Sequence, residues 1–208
     1  MPEVPPSRLE PSQLQILSGS ERFSFGATVL DFWRWSLGDL RMNTARGFLV
    51  EFLVAQAVGA DAPMRVEWAS HDVEAPDGTR IEVKASGYLQ SWVTRRPSVP
   101  TFRFKSAYAT TVWDSAVADY VEVDVEERVH IWVFALQTCR EHESYDPLEI
   151  KQWEFRVLPH RSLVRTGQKS AGLSFFDRLG APPVVWEELP SAITAGRREH
   201  DRLGTTST

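Results

Sequence analysis

The chain has 208 residues, 42% of them hydrophobic, which suits a single domain with a substantial core. Its formal net charge of -5 argues against a protein that coats nucleic acid non-specifically, because such proteins are usually basic. The one cysteine, Cys139, excludes an internal disulfide and fits a reducing compartment. The sequence lacks both a basic-then-apolar leader and an apolar run of about 18 residues, so we expect a cytoplasmic protein without a membrane span.

Composition divides the chain into three parts. We expect an extended, proline-rich arm at 1–20, a single domain at 21–192 and a polar C-terminal tail at 193–208. Within the domain, the spacing of apolar residues predicts a first helix at about 28–37. Aromatic residues cluster around this helix, and such clusters are more typical of a core than of a surface that stacks on bases.

A second helix is predicted at 44–58, with Asn43 or Thr44 as its N-cap and Gly59 at its end. The segment is apolar nearly all round. This pattern predicts a helix that is packed on most of its sides.

Glu51 is the only acidic residue of that second helix. A buried carboxylate needs a partner, a metal or a wet cavity, because an isolated buried charge is very costly. The acidic hairpin that follows favours a role in a functional site. The alternative is a structural ion pair with an arginine of the core, for instance Arg46 or one from elsewhere in the chain.

The segment from Trp68 to Ser86 is the most informative stretch and predicts a β-hairpin. Pro76 and Gly78 suit a type I turn in which Gly78 is left-handed, giving a three-residue loop. This loop places Asp72 opposite Glu82, on the same face of the hairpin. A two-residue loop would instead place the two carboxylates on opposite faces.

The predicted register separates charged from apolar residues. The charged face carries Asp72, Glu74, Arg80, Glu82 and Lys84. The other face carries His71, Val73, Ile81, Val83 and Ala85. Mg²⁺ takes oxygen ligands, which Asp72, Glu82 and the carbonyl of Val83 can supply. Lys84 would then stand beside a scissile phosphate, where it can orient or deprotonate the attacking water.

These residues resemble the core of the PD-(D/E)XK nuclease superfamily, which has the restriction-endonuclease-like fold. The resemblance covers residues 44–86 and depends on Asp72, nine intervening residues and then Glu82-Val83-Lys84. It implies that Asp72 and Glu82 bind Mg²⁺, with Mn²⁺ as a substitute, and that Lys84 serves catalysis. Glu51 occupies the place of an acidic residue that the preceding helix often adds in this family.

The sequence departs from the family pattern at three points. The residue before Asp72 is His71 rather than proline. The literal Pro-Asp pair, at 76–77, lies at the tip of the turn, where both residues suit the turn itself. The Gln-x-x-x-Tyr element of RecB-like members is absent after the lysine, where Tyr88 and Gln90 come in the reverse order.

A basic stretch follows the hairpin and is the predicted nucleic-acid contact. The candidate contacts are Ser86, Gln90, Arg95, Arg96, Arg103 and Lys105. The segment 101–106 alternates apolar and basic residues, which predicts a strand with Phe102 and Phe104 facing inward. A solvated surface without a ligand is the alternative for each basic side chain.

The remaining segments predict the sheet and its later helices. We expect a short helix or loop at 107–118, strands at 129–136 and 152–158, a helix from 160, and shorter elements at 173–179 and 184–189. The apolar run at 129–136 predicts a central strand covered on both faces. The fold class is therefore α/β, with a central mixed β-sheet flanked by helices on both faces, as in the restriction-endonuclease-like core.

The predicted function is a metal-dependent endonuclease that hydrolyses phosphodiester bonds in nucleic acid, with DNA favoured, and the family implies defence or DNA processing. One alternative is a module on the same fold that binds nucleic acid or protein without catalysis. A second alternative makes the charged face a cluster of salt bridges. Enzymes that cut two strands often need two sites, so a homodimer is compatible with this activity, although no motif specifies one.

Overall fold

The computed structural model describes residues 16–62, 64–65, 69–92, 94–114, 117 and 119–205. Its helices are α1 Val29–Leu37, α2 Asn43–Val58, α3 His160–Val164, α4 Leu173–Arg178 and α5 Leu189–Thr205. Its strands are β1 Val73–Glu74, β2 Arg80–Gly87, β3 Thr101–Arg103, β4 Thr111–Asp114, β5 Asp119–Glu122, β6 Ile131–Gln137, β7 Trp153–Pro159 and β8 Ser170–Gly172. Short 3₁₀ helices lie at Lys105–Tyr108, Ile150–Gln152 and Trp186–Glu188. Within these ranges, no helix is both long enough and apolar enough to cross a membrane.

The predicted hairpin is formed by β1 and β2. Gly78 has a left-handed φ of 78°, and its N–H donates to the carbonyl of Ala75 at 2.9 Å. The N–H of Ala75 in turn donates to Thr79 at 3.0 Å, which closes the three-residue loop. Val73 pairs with Ile81 across the strands. The predicted loop and register are both confirmed.

The main sheet has the strand order β1-β2-β6-β7 and is mixed. β2 runs parallel to β6, whereas β1 and β7 are antiparallel to their neighbours. β6 lies in the interior of the sheet and all its residues are buried, as the apolar run predicted. α2 and α5 cover one face of the sheet, and an aromatic cluster that includes α3 and α4 side chains covers the other. The mixed α/β class is confirmed.

The second helix was predicted correctly at its end but not at its start. Gly59, with φ 65°, ends α2. The N-cap is Met42, which has no capping side chain, so the prediction of Asn43 or Thr44 was wrong. The helix is also not packed on most sides, since Phe48 and Phe52 are 39% and 58% exposed. The sheet covers only one side of α2, and the apolar pattern does not reveal which side is left open.

The aromatic residues around α1 were expected in the core, and this was wrong for several of them. Phe25, Phe32 and Trp35 are 78%, 48% and 85% exposed. Thr28 caps α1 through a reciprocal pair of hydrogen bonds with Asp31, so local capping fixes where the helix begins. Within α1, Val29 is the buried residue.

Three later segments also differ from the predictions. The segment at 107–118, predicted as a helix or loop, contains β4, which pairs with β5; residues 115, 116 and 118 lie outside the described residues. The predicted strand at 101–106 stops at Arg103, although Phe102 and Phe104 are buried as expected. The predicted tail at 193–208 is helical to Thr205, because Leu189, Ile193 and His200 form a buried face on α5.

Candidate active site

The predicted charged residues converge where β1 begins. The N–H of Asp72 donates to the carbonyl of Ile81 at 3.0 Å, which ties the residue before β1 to the β2 strand. Oδ2 of Asp72 accepts a hydrogen bond from the N–H of Val83 at 2.8 Å. The carboxylate is therefore held against the edge of β2.

Lys84 connects the two carboxylates. Its Nζ lies 2.9 Å from Oε1 of Glu82 and 3.7 Å from Oδ2 of Asp72. The same ammonium stands 5.4 Å from the centre of the Trp132 ring, on the neighbouring strand β6. The Lys84 side chain remains 28% exposed, so this side of the site is open to solvent and to a ligand.

Glu82 is more buried, and protein groups engage both of its oxygens. Oε1 accepts from Lys84 and from Ser106 Oγ at 3.3 Å, and Oε2 lies 3.3 Å from Nη1 of Arg128. Neither Ser106 nor Arg128 is among the site residues predicted from the sequence. Arg128 directly precedes the predicted central strand, but its pairing with Glu82 depends on the parallel alignment of β2 and β6, which no local pattern encodes.

The two carboxylates differ in their electrostatic balance. Burial raises the pKa of Asp72, and the negative charge of Glu82 raises it further. Burial also acts to raise the pKa of Glu82, but the charges of Lys84 and Arg128 outweigh it and lower that pKa. Cations therefore outweigh the burial of Glu82, whereas at Asp72 the more distant Lys84 only partly offsets burial and the charge of Glu82.

Glu51 lies next to this pair on α2, as predicted. Burial raises its pKa, and the charge of Asp72 is the next largest cause. Its partner is Arg65, whose Nε lies 2.6 Å from Oε2 of Glu51. Arg46, the partner suggested from the sequence, instead donates to backbone carbonyls at 2.9 and 2.6 Å, one of them that of Leu89.

The donor set fits a magnesium ion. Asp72, Glu82 and a backbone carbonyl are the hard oxygen donors that Mg²⁺ prefers. A strand residue directs its N–H and C=O to the same side, so the carbonyl of Val83 faces the side on which Asp72 lies. Among the described contacts, Oδ1 of Asp72 takes part in no hydrogen bond, and the raised pKa of Asp72 marks a place where a cation would relieve repulsion.

The number of protein ligands is small. In the part of the chain that the structure describes, no three His, Cys, Asp or Glu side chains lie close enough together to hold a metal ion. Mg²⁺ usually takes one or two carboxylates and completes its octahedron with water and substrate phosphate. A site of two carboxylates and a carbonyl agrees with this coordination preference, and water and substrate would supply its remaining ligands.

The structure divides the predicted nucleic-acid contacts into two groups. Oγ of Ser86 accepts from the N–H of Thr101 at 3.3 Å. Gln90 is buried and donates to the carbonyl of Gly87 at 3.1 Å. Both side chains thus support the end of β2. The predicted basic contacts are exposed and have no carboxylate partner among the described residues: Arg95, Arg96, Arg103 and Lys105.

Arg96 also lines an open cleft of about 420 Å³ beyond the end of β2. Tyr88 and Arg140 contribute to the same cleft. The guanidinium of Arg140 lies 4.1 Å from the centre of the Tyr88 ring, which is a cation–π contact. This basic and aromatic surface continues in the direction in which β2 leaves the carboxylate pair.

Comparison with known proteins identifies no relative of this chain. No protein-family model matches it, and neither the curated proteins nor the solved structures contain a significant match. The functional interpretation therefore depends on the geometry and charges of the site.

Proposed function

We propose that this protein is a Mg²⁺-dependent nuclease of the PD-(D/E)XK type, built on a restriction-endonuclease-like core and acting on DNA. The observation that supports the proposal most is the contact of one ammonium, Lys84, with two adjacent carboxylates, Asp72 and Glu82. Burial and like charge raise the pKa of one of these carboxylates, which is typical of functional sites. The mixed sheet, with this pair at its β1–β2 edge, is compatible with that core.

In this mechanism, Asp72, Glu82 and the carbonyl of Val83 would hold the ion. A bound Mg²⁺ would supply positive charge for the phosphate oxygens during in-line displacement. Lys84 has three N–H donors, one of which binds Glu82. The other two orient the attacking water and balance the charge that develops on the phosphate. Glu51 assists directly or through water.

The exposed basic residues support a polyanionic substrate. Arg95, Arg96, Arg103 and Lys105 would contact backbone phosphates, which contributes affinity without sequence specificity. The net charge of -5 agrees with a local basic rim rather than a basic protein. The resemblance to the PD-(D/E)XK family implies that such an activity would serve in defence or in DNA processing.

One observation favours a second candidate, a non-catalytic binding module on the same fold. Lys84, Ser106 and Arg128 together already occupy both oxygens of Glu82. A cluster of protein salt bridges would show the same contacts without any metal. This candidate predicts nucleic-acid or protein binding that is independent of divalent ions.

Metal-dependent cleavage is the test. Wild type, Asp72→Ala and Lys84→Ala are each incubated with supercoiled plasmid, single-stranded DNA and RNA, in Mg²⁺, Mn²⁺ or EDTA. We expect cleavage of DNA by wild type that requires metal and is lost in both variants. Equal cleavage by wild type and both variants would contradict the assignment of these residues. An inactive wild type that binds DNA equally in Mg²⁺ and EDTA would establish the binding module instead.

A further inference from the structure

Arg128 is the buried cation of the site and makes its closest contacts through one nitrogen. Its side chain is only 7% exposed. Nη1 donates to the carbonyl of Ser70 at 3.0 Å and to Oε2 of Glu82 at 3.3 Å. One nitrogen thus joins the segment that leads to Asp72 with the carboxylate of β2.

The remaining donors of Arg128 are unused. Nε and Nη2 are buried and have no hydrogen-bond partner among the described residues. Buried N–H groups are normally paired, so unpaired ones need an explanation. A guanidinium has a planar fork of donors that fits two phosphate oxygens, which makes a phosphate the ligand best suited to these groups.

Arg128 and Lys84 lie over the same indole. The guanidinium carbon of Arg128 is 5.9 Å from the centre of the Trp132 ring, and Nζ of Lys84 is 5.4 Å from it. The ring is fully buried, and its Nε1–H donates to Nδ1 of His160 at 2.8 Å, which fixes its orientation. Trp132 therefore holds both cations beside Glu82.

The position of Arg128 conflicts with a metal at Glu82. Oε1 is already shared by Lys84 and Ser106, so an ion would approach Oε2, the oxygen that Arg128 occupies. Arg128 and a metal ion on the same oxygen would repel each other. Metal binding is therefore weaker while Arg128 contacts Glu82 than after Arg128 has moved away.

We propose that Arg128 holds Glu82 in place before metal binds. When substrate is bound, the Arg128 side chain moves, and its guanidinium donates to a phosphate oxygen of the strand instead of to Glu82. This inference rests on the proposed nuclease function. Arg128 thereby weakens metal binding in the absence of substrate and contributes to binding of the phosphate when substrate arrives. The metal and the nucleic acid then bind cooperatively, because the phosphate takes the guanidinium away from Glu82.

The proposal predicts effects of opposite sign on two measurements. Arg128→Met removes the competing cation, so the variant should bind Mn²⁺ roughly tenfold more tightly than wild type, as expected for the loss of one charge-assisted contact. The same variant should cleave DNA at least about tenfold more slowly, because the phosphate loses a contact. A residue with only a structural role would weaken both properties.

Two further variants provide controls. Arg128→Lys keeps a positive charge near Glu82 but lacks the planar fork, so it should bind Mn²⁺ with nearly wild-type affinity and still cleave slowly. Arg156→Met removes another buried arginine, which lies 5.7 Å from the centre of the Phe176 ring and 2.7 Å from the carboxylate of Asp177. Its folded fraction should bind Mn²⁺ and cleave DNA like wild type.

The experiment is a calorimetric Mn²⁺ titration of the four proteins without nucleic acid, together with cleavage rates and circular dichroism spectra. Tighter Mn²⁺ binding with slower cleavage in Arg128→Met supports the proposal. If that variant does not fold, slow cleavage with unchanged Mn²⁺ affinity in Arg128→Lys supports it. If wild type binds Mn²⁺ and cleaves DNA, unchanged or weaker Mn²⁺ binding in a folded Arg128→Met overturns the inference alone, as does wild-type cleavage by Arg128→Lys. Wild type that neither binds Mn²⁺ nor cleaves overturns the proposed function as well.

Discussion

The two ends of the β1–β2 hairpin each carry an aspartate, and the two aspartates are in opposite electrostatic environments. At the turn, Oδ1 of Asp77 accepts from the N–H of Thr79 at 2.9 Å, and hydrogen bonds from Thr79 lower the pKa of Asp77 below its ordinary value. At the open end, burial and the charge of Glu82 raise the pKa of Asp72 above that value. The turn end favours the ionised form, and the open end opposes it.

This difference means that ionised Asp77 stabilises the folded protein, whereas ionised Asp72 destabilises it. Asp77 satisfies a backbone donor in a tight turn, which is an ordinary role for aspartate. Asp72 is buried beside the negative charge of Glu82, and Lys84 offsets this only in part, so ionisation of Asp72 costs stability unless a further cation binds. Such unfavourable charge is common where a protein binds or transforms a ligand.

The largest expected effect is on activity at the open end. Lys84→Met should reduce the cleavage rate by about 10² to 10³-fold, because the transition state loses a positioned positive charge. Asp77→Asn, at the turn, should cleave at the wild-type rate. Initial rates of plasmid cleavage in Mg²⁺ measure both. Wild-type activity in Lys84→Met would remove the distinction between the two ends.

Glu82→Gln should cause the largest loss of stability. The substitution leaves the buried Arg128 without its carboxylate partner, and breaking a buried pair in this way typically costs about 3 kcal/mol. Urea unfolding at neutral pH measures the change. Glu74→Gln, at an exposed position of the same hairpin, is the matched control and should change stability little. Equal effects at the two positions would contradict the account of Glu82.

Asp72→Asn should instead stabilise the protein. The neutral side chain keeps an acceptor for the N–H of Val83 and removes the repulsion from Glu82, so we expect a gain in the range of about 0.5–2 kcal/mol at neutral pH. Because the folded pKa of Asp72 is raised, the gain is complete above that pKa. It fades as the pH falls through the folded pKa and disappears below 3.8, the ordinary value, where wild type is protonated in both the folded and the unfolded state. Urea unfolding over this pH range gives the sign, and a loss of stability at neutral pH would contradict it.

The smallest effect is expected at the turn. Asp77→Ala removes one hydrogen bond to Thr79 and should cost about 0.5–1 kcal/mol. Asp77→Asn retains an acceptor and should remain within a few tenths of a kcal/mol of wild type. Thermal unfolding of the two variants separates them. A stabilising Asp77→Ala would show that the turn carries the same kind of unfavourable charge as the open end.

Local chemistry made the hairpin predictable from the sequence. Pro76 and Gly78 determine a turn that brings Asp72 beside Glu82, and every step of this inference spans a few residues. The central strand β6 was equally predictable, because its apolar composition alone indicates burial on both faces. The charged face could therefore be described before the sheet was known.

Features that depend on contacts between distant parts of the chain could not be predicted from the sequence. Arg128 reaches Glu82 only because β6 lies parallel to β2, and Glu51 pairs with Arg65, which lies 14 residues further along the chain, rather than with Arg46. The exposure of Trp35 likewise reflects which surfaces pack together, since its aromatic character alone predicts a core. An apolar pattern predicts that a segment favours burial, but which of its residues are buried depends on how the elements pack in the fold.

The most direct test of the central claim is the effect of Mn²⁺ on the melting temperatures of wild type, Asp72→Asn and Asp77→Asn. A ligand that binds only the folded protein raises its melting temperature. The account predicts a rise of several degrees in wild type and Asp77→Asn and no rise in Asp72→Asn. The absence of a rise in wild type even at high millimolar Mn²⁺ with DNA present, or an equal rise in Asp72→Asn, would show that Asp72 and Glu82 do not form a metal site.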